Sequence, residues 1–173
     1  MNVIETGRLI LCEFTEDDSE FILKLLNTPG WLQFIGNKGI QNTDDAKNYI
    51  INVPLKSYEK FGFGLYNVIL KSESRPIGMC GLINRDSLDD IDIGFSFLPE
   101  YTGNGYAFES ASATLNYAKI HLGFKRIVAI TNPDNHNSIK LLEKLGLKFE
   151  KQFVVPGDEE ELMLFAITFD NEA

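Results

Sequence analysis

Cysteine is scarce in this chain. The sequence has two cysteines, Cys12 and Cys80, and each lies in a segment with the pattern of a β-strand. Two thiols cannot form the framework of disulfides that stabilises many small secreted domains. We therefore interpret both as reduced thiols in the core of an intracellular protein.

Basic residues are also in deficit. Lysine and arginine together number 16 against 25 aspartates and glutamates, which gives a formal net charge of −9. Extensive binding to nucleic acid or to an anionic membrane needs a basic surface, so we expect neither partner. The acidic surface is compatible with a cationic acceptor such as an amine, although such a surface more often serves solubility.

Long apolar runs, linkers and repeats are missing as well. No stretch approaches the roughly 20 apolar residues that span a bilayer. The first residues lead through Glu5 to Arg8 rather than into an apolar signal sequence, so we expect a cytoplasmic protein. With 173 residues and 44% hydrophobic content, residues 1–173 are predicted to form a single domain with a full core.

The central feature of the sequence is a strand followed by a glycine turn and a helix. The strand alternates between an apolar face and a small or acidic face (Ile91, Ile93, Phe95 and Phe97 against Asp92, Gly94 and Ser96). Pro99 ends it, because proline has no N–H for a ladder. Gly103, Asn104 and Gly105 form a tight loop, and Tyr106 begins a helix that runs to about residue 122.

This helix start is a candidate anion site. Its first amides are unpaired and lie at the positive end of the helix dipole, where a phosphate binds without a lysine. Glycine loops of this kind also occur as plain turns. A Rossmann-type dinucleotide site is disfavoured because Phe108 stands where that motif needs its third glycine. The predicted buried stripe of the helix consists of Ala107, Ala111, Leu115, Ala118 and Leu122.

The remaining segments predict a mixed α/β fold. Strands are expected at residues 8–14, 61–70, 76–84, 126–130, 147–155 and 161–169. Helices are expected from Thr15 to about residue 26 with Asp18 in a capping box, and from Thr43 to about residue 60 despite Pro54. Residues 31–40 are expected to be irregular. A last helix, capped by Asn135 or Asp134, ends at Gly146.

Read together, these segments resemble a known family. The sequence is similar to the GNAT superfamily of acetyl-CoA-dependent N-acetyltransferases, in the branch that includes the ribosomal-protein-alanine N-acetyltransferases. The resemblance covers nearly the whole chain, in order and at family spacing. Its main motifs are TGRLIL at residues 6–11, PIG at 76–78, IGF at 93–95, LPEY at 98–101, GNGYA at 103–107, NHNS at 135–138 and LEKLG at 142–146.

The resemblance implies a fold and a cofactor. The fold is a central, mostly antiparallel mixed sheet of about seven strands, splayed in the middle, with helices on both faces. The cofactor is acetyl-CoA, used as a co-substrate without a metal. Backbone near Phe95 and Phe97 would pair with the pantetheine arm, and Asn135 would contact it. The pyrophosphate would bind the amides of Gly103, Asn104, Gly105, Tyr106 and Ala107.

Two residues are candidates for catalysis. Asp92 matches a family glutamate and would accept the proton of the amine, directly or through a water; the alternative is a solvated acid at the start of a strand. Ser138 lies one helical turn past Asn135 and would hydrogen-bond the leaving thiolate. It is preferred because Leu142 stands where a tyrosine is frequent in the family. The alternative for Ser138 is an ordinary serine on the helix surface.

Three residues are candidates for binding the acceptor. Glu109 would orient it, or would simply favour the helix N-terminus electrostatically. Trp31 and Phe34 would contact it, or would be part of the core. Two positions depart from the family pattern: Cys12 replaces a common arginine, and Glu100 stands where arginine or glutamine is frequent. A carboxylate at position 100 is expected to weaken phosphate binding unless it points away from the loop.

The function predicted from this sequence is transfer of an acetyl group from acetyl-CoA to a primary amine by direct attack in a ternary complex. Two alternatives are a non-catalytic acyl-CoA-binding module and a binding protein for an unrelated nucleotide. The acceptor remains open among a protein N-terminus, a polyamine, an aminoglycoside and an amino acid. The sequence does not distinguish a monomer from a homodimer.

Overall fold

An eight-stranded sheet forms the centre of the computed structural model, which describes residues 1–170. Its spatial order is β1-β2-β3-β4-β5-β6-β8-β7, and every neighbouring pair is antiparallel except β5 with β6. The strands are β1 Asn2–Glu5, β2 Leu9–Cys12, β3 Leu65–Leu70, β4 Arg75–Ile83, β5 Asp92–Phe97, β6 Arg126–Thr131, β7 Lys148–Val154 and β8 Glu161–Thr168. The sheet has one strand more than the predicted seven, because β1 pairs with β2 at one edge.

Helices cover both faces of the sheet, as predicted. They are α1 Ser19–Leu25, α2 Pro29–Phe34, α3 Thr43–Ile50, α4 Lys56–Phe61, α5 Tyr106–Ile120 and α6 His136–Lys144. Consecutive residues of a strand point to opposite faces. On β4, Met79 packs in a core with α1, α2 and α3, whereas Cys80 packs in a core with α5. In the predicted stripe of α5, Ala111, Leu115 and Ala118 are buried, and Ala107 and Leu122 are half-buried.

Three details of the first helices differ from the prediction. Residues 31–34, predicted to be irregular, belong to a helix that begins at Pro29, a first-turn position where the missing N–H of proline costs nothing. Asn42, rather than Thr43, caps α3: its side-chain oxygen accepts from the N–H of Asp45 at 2.8 Å. Pro54 lies in a π-helical turn, Ile51–Leu55, between α3 and α4. The wider turn accommodates a residue that cannot continue an α-helical ladder.

The start of α1 follows the predicted capping pattern. The N–H of Thr15 donates to the carboxylate of Asp18 at 2.8 Å, so aspartate replaces the usual glutamate of a capping box. A 3₁₀ turn, Glu16–Asp18, precedes the α-helix. Across residues 1–170, no helix combines the length and the apolar character needed to cross a membrane.

The sheet opens between β5 and β6. These two strands pair in parallel through Asp92 and Val128, and the N–H of Val128 donates to the carbonyl of Ile91 at 3.0 Å. Beyond this point, β5 continues its ladder with β4 and β6 continues its ladder with β8. The two strands therefore diverge toward their carboxyl ends, which confirms the predicted splay and leaves a cleft in the middle of the sheet.

Candidate active site

A cleft of about 950 Å³ occupies the opening between β5 and β6. The segment from α2 to α4 forms one wall, and the start of α6 with the loop between β7 and β8 forms the other. Six of the predicted site residues line it: Trp31, Phe34, Asp92, Phe95, Asn135 and Ser138. Residues from distant parts of the sequence thus meet in one place. Phe97 and the five residues of the glycine motif lie outside this lining, at the end of β5 and the start of α5.

The glycine loop presents free backbone donors. Gly103 and Gly105 have φ angles of 80° and 82°, a left-handed conformation that favours glycine. Within residues 1–170, the N–H groups of residues 103–108 donate to no protein acceptor, and the first helical bond runs from Glu109 to the carbonyl of Gly105 at 3.0 Å. These amides stand at the start of a 15-residue helix, an arrangement suited to a phosphate.

Arg8 fixes the shape of this loop. Its guanidinium donates to the carbonyl of Asn104 at 2.9 Å and lies 4.5 Å from the ring centroid of Tyr106. The same group forms an ion pair with Glu109 at 2.7 Å. A side chain added at Gly105 would place its Cβ 3.3 Å from the guanidinium. The turn between β1 and β2 therefore holds the candidate phosphate loop in position.

Glu109 takes part in the contacts that join the β1–β2 turn to the glycine loop, and it does not line the cleft. Its carboxylate accepts from the hydroxyl of Thr6 at 2.7 Å and from the N–H of Arg8 at 2.9 Å. Burial alone would raise the pKa of Glu109, but the hydrogen bonds from Thr6 and Arg8 hold it below its ordinary value. This position does not fit the predicted role in orienting the acceptor. Glu109 instead ties the start of α5 to the β1–β2 turn.

Glu100 is paired with a lysine of α1. Its exposed carboxylate lies 2.9 Å from the ammonium of Lys24. The hydrogen bond from Lys24 lowers the pKa of Glu100, so its carboxylate stays ionised and partnered. Because Lys24 offsets this negative charge, Glu100 opposes phosphate binding less than the sequence alone predicts.

Asp92 is buried at the closed end of the cleft. Only 1% of the residue is exposed, and Nε of Arg85 lies 3.2 Å from both carboxylate oxygens. Burial raises the pKa of Asp92 to about 6, and the charge of Arg85 opposes this rise. Asp92 is therefore not the solvated strand-start acid of the alternative interpretation. Gly94 and Ser96, on the same strand face, also line the cleft, as do Ile93 and Phe95 of the opposite face.

Asn135 and Ser138 stand together at the start of α6. Asn135 caps the helix, and its side-chain oxygen accepts from the N–H of Ser138 at 3.2 Å. In the described part of the chain, the Ser138 hydroxyl has no hydrogen-bond partner, so it is available to a ligand. Leu142 lies one turn further, is 1% exposed and also lines the cleft.

The aromatic residues on the opposite wall have mixed roles. Trp31 is 5% exposed and packs in the core with α1 and α3, as expected for a core residue, while part of it lines the cleft. Phe34 is half-buried and lines the cleft. Tyr49, which no sequence pattern indicated, also lines the cleft, and burial raises its pKa to about 12 against the effect of Arg85. Its hydroxyl therefore stays neutral and can donate a hydrogen bond.

Arg85 is a second site residue that no sequence motif indicated. Asp92 lies opposite Ile83 in the β4–β5 register, and Arg85 follows two residues later. The signal available in the sequence was a single arginine in the polar turn between these strands.

The sequence is similar to known acetyltransferases. Residues 8–148 match the model of the Acetyltransferase (GNAT) domain. The chain is 29% identical over 159 residues to the uncharacterized N-acetyltransferase YnaD of Bacillus subtilis, with 90% of each chain covered. It is 30% identical over 131 residues to the [Ribosomal protein uS5]-alanine N-acetyltransferase of Escherichia coli, covering 71% of this chain and 65% of that protein.

Solved structures share the fold. A GNAT-family acetyltransferase from Bacillus anthracis superposes with a TM-score of 0.80 at 26% identity, covering 95% of this chain and 97% of that one. The microcin C7 self-immunity acetyltransferase MccE, solved in complex with acetyl-CoA and AMP, has a TM-score of 0.80 at 13% identity and covers 95% and 94%. The family model spans most of the sequence. The chain therefore belongs to the GNAT family and is an acetyltransferase.

Proposed function

We propose that this acetyltransferase uses acetyl-CoA to acetylate a primary amine, by direct attack in a ternary complex. The proposal rests on the divergence of β5 from β6, which leaves a cleft, together with the unpaired backbone amides at the start of α5. Beyond Asp92, the edge of β5 that carries Phe95 and Phe97 has no strand partner on the β6 side within residues 1–170. An extended pantetheine arm with two amides fits such an edge, and its pyrophosphate fits the start of α5.

Asp92 supplies the base in this proposal. An alkyl ammonium must lose a proton before its nitrogen attacks the thioester carbon. A buried carboxylate with a pKa near 6 accepts that proton better than one with an ordinary pKa, either directly or through a water. The new C–N bond then forms as the C–S bond breaks, the electron pair leaves on the sulfur of coenzyme A, and the second proton lost by the nitrogen is taken up by that thiolate to give the free thiol.

Ser138 serves the leaving group. Its unpartnered hydroxyl donates a hydrogen bond to the thiolate as negative charge develops there. Asn135 uses its side-chain oxygen to cap α6, which leaves its NH₂ group for the pantetheine. The acceptor is a protein N-terminus or a small-molecule amine, and it enters along the wall formed by α2 to α4, where Phe34 and Trp31 lie.

A non-catalytic acyl-CoA-binding module is the second candidate, and one observation favours it. Leu142, which is buried, provides no hydroxyl where a tyrosine is frequent in the family. Thiol release from acetyl-CoA with a pool of amines separates the two candidates: an enzyme releases coenzyme A only when an amine is present. Competition by coenzyme A against ATP or NAD separates both from a site for an unrelated nucleotide.

A further inference from the structure

Charge is distributed unevenly around the cleft. On the wall formed by residues 29–61, the charged lining residues are Lys38, Lys56, Lys60 and Asp45. Across the cleft, the loop between β7 and β8 contributes Asp158 and Glu160. A wall with a local excess of positive charge is unexpected in a chain whose formal net charge is −9. This distribution of charge affects which acceptors can bind, because the acceptor is proposed to enter along the positively charged wall.

The positive charge of this wall is not neutralised by its own acid. The carboxylate of Asp45 accepts from the N–H of Gln41 at 2.9 Å, next to the start of α3. No carboxylate in residues 1–170 lies within ion-pair distance of Lys38, Lys56 or Lys60. Lys56 and Lys60 are one turn apart on α4 and therefore share a face. Both lysines therefore stand on this wall with no carboxylate of residues 1–170 within ion-pair distance, and the ammonium of Lys60 lies 5.0 Å from the ring centroid of Phe61.

Lys56 is held in place by neighbouring amides. Its ammonium donates to the side-chain oxygen of Asn52 at 2.8 Å. The side-chain NH₂ of Asn52 in turn donates to the carbonyl of Asn48 at 2.8 Å. All three residues line the cleft. These hydrogen bonds position the ammonium of Lys56. Because an ammonium has three N–H donors, two of them remain for a ligand.

We propose that the acceptor is an amine that carries an anionic group, which Lys56 and Lys60 bind. A carboxylate fits, either on a free amino acid or on an acidic residue close to a peptide N-terminus. Asp158 and Glu160, across the cleft, favour the ammonium end of the same molecule. This inference rests on the proposed N-acetyltransferase function, and among the acceptors left open by the sequence it disfavours a purely cationic one such as a polyamine.

Matched acceptors test this inference. The probes are alanine against alaninamide, and the dipeptide amides alanyl-glutamate, alanyl-glutamine and alanyl-lysine, with spermidine as a polycation. We expect kcat/KM to be about tenfold or more higher for the anionic member of a pair than for its neutral match. The alanine pair tests a free carboxylate, and the dipeptides test an acidic side chain.

Variants of the two lysines test whether these residues bind the anionic group of the acceptor. Lys56→Gln and Lys60→Gln should each raise KM for the anionic acceptor about three- to tenfold, with kcat and KM for acetyl-CoA unchanged. Lys56→Glu should shift the preference toward the alanyl-lysine amide. Lys47→Gln is the matched control, because Lys47 is an exposed lysine of α3 that does not line the cleft. It should leave every constant unchanged.

Three results would overturn the inference. If neutral amides or spermidine had the same kcat/KM as the anionic acceptors, the inferred substrate class would be wrong, although the proposed function would stand. A rise in KM for acetyl-CoA in Lys56→Gln would assign the lysines to a phosphate of the cofactor. A failure of all amines to release coenzyme A would instead remove the proposed function, and this inference with it.

Discussion

Arg85 and Asp92 face each other at the β4–β5 turn, with Nε of the arginine 3.2 Å from both oxygens of the aspartate. The arginine side chain is 41% exposed, whereas that of the aspartate is 2% exposed. Within residues 1–170, this buried carboxylate therefore has one charged partner, Arg85, whose side chain reaches solvent. Burial raises the pKa of Asp92, and Arg85 limits the rise.

Removing Arg85 should shift the pH dependence of the enzyme. The positive charge of Arg85 favours the ionised carboxylate, so Arg85→Met should move the acidic limb of the kcat/KM profile upward from about pH 6. Steady-state rates between pH 5 and 9 measure this shift. Arg75→Met, which changes an exposed arginine paired with Glu73, is the control and should leave the limb in place. An unchanged profile in Arg85→Met would mean that this limb does not report Asp92.

A side chain at Gly105 should disrupt cofactor binding. Valine there must adopt a φ near 82° and brings Cβ to 3.3 Å from the guanidinium of Arg8, so the free amides lose their arrangement. We expect the dissociation constant for coenzyme A, measured by calorimetry, to rise at least about tenfold in Gly105→Val, because the bonds lost are to a charged phosphate.

The control for this variant is Gly123→Val. Gly123 also has a positive φ, of 71°, with no atom within 4 Å of an added Cβ, and it follows α5 at the end remote from the loop. It should therefore suffer similar backbone strain and retain normal affinity for coenzyme A. Normal affinity in a folded Gly105→Val would show that the phosphate site has been misplaced.

Ser138→Ala should reduce turnover more than binding. The variant removes the hydroxyl proposed to serve the leaving thiolate and keeps the backbone N–H that Asn135 caps, so α6 stays intact. We expect kcat to fall about tenfold or more, as for loss of a hydrogen bond to a charged group, with the dissociation constant for acetyl-CoA nearly unchanged. A loss confined to KM for acetyl-CoA would make Ser138 a binding residue.

The parts of the fold predictable from sequence depend on local patterns. The alternation of residues 91–97, the stop at Pro99 and the glycine turn identify β5 and the start of α5, because each reflects a local backbone requirement. Asn135 as a cap and Ser138 one turn later follow from helical spacing. The family resemblance then predicted the splay, which the single pairing of Asp92 with Val128 confirms.

The remaining parts depend on contacts between distant residues. Glu109 contacts Thr6 and Arg8, which are more than 100 residues away in the sequence. The sequence alone therefore could not distinguish this structural role from a role in orienting the acceptor. The burial of Asp92 and its partner Arg85 follow from strand register. The π-helical turn at Pro54 was not predictable either, since a proline in a helical pattern indicates only that the helix continues or breaks there.

The substitution Asp92→Asn tests whether this carboxylate is the base of the reaction. It preserves the shape of the side chain and removes the base, and a positioned base is worth roughly 10²–10⁴-fold in rate. Turnover measured by thiol release at neutral pH should fall within that range while affinity for acetyl-CoA stays nearly unchanged.

Its pH profile carries the decisive comparison. In the native enzyme, the carboxylate must be ionised to accept a proton, so kcat/KM should rise with pH through about 6. In Asp92→Asn that limb should disappear. The loss of turnover relative to the native enzyme should become smaller as pH rises, because a larger fraction of the amine is then already neutral in solution. Near-normal turnover of Asp92→Asn at neutral pH, with the limb at about pH 6 retained, would show that Asp92 is not the base.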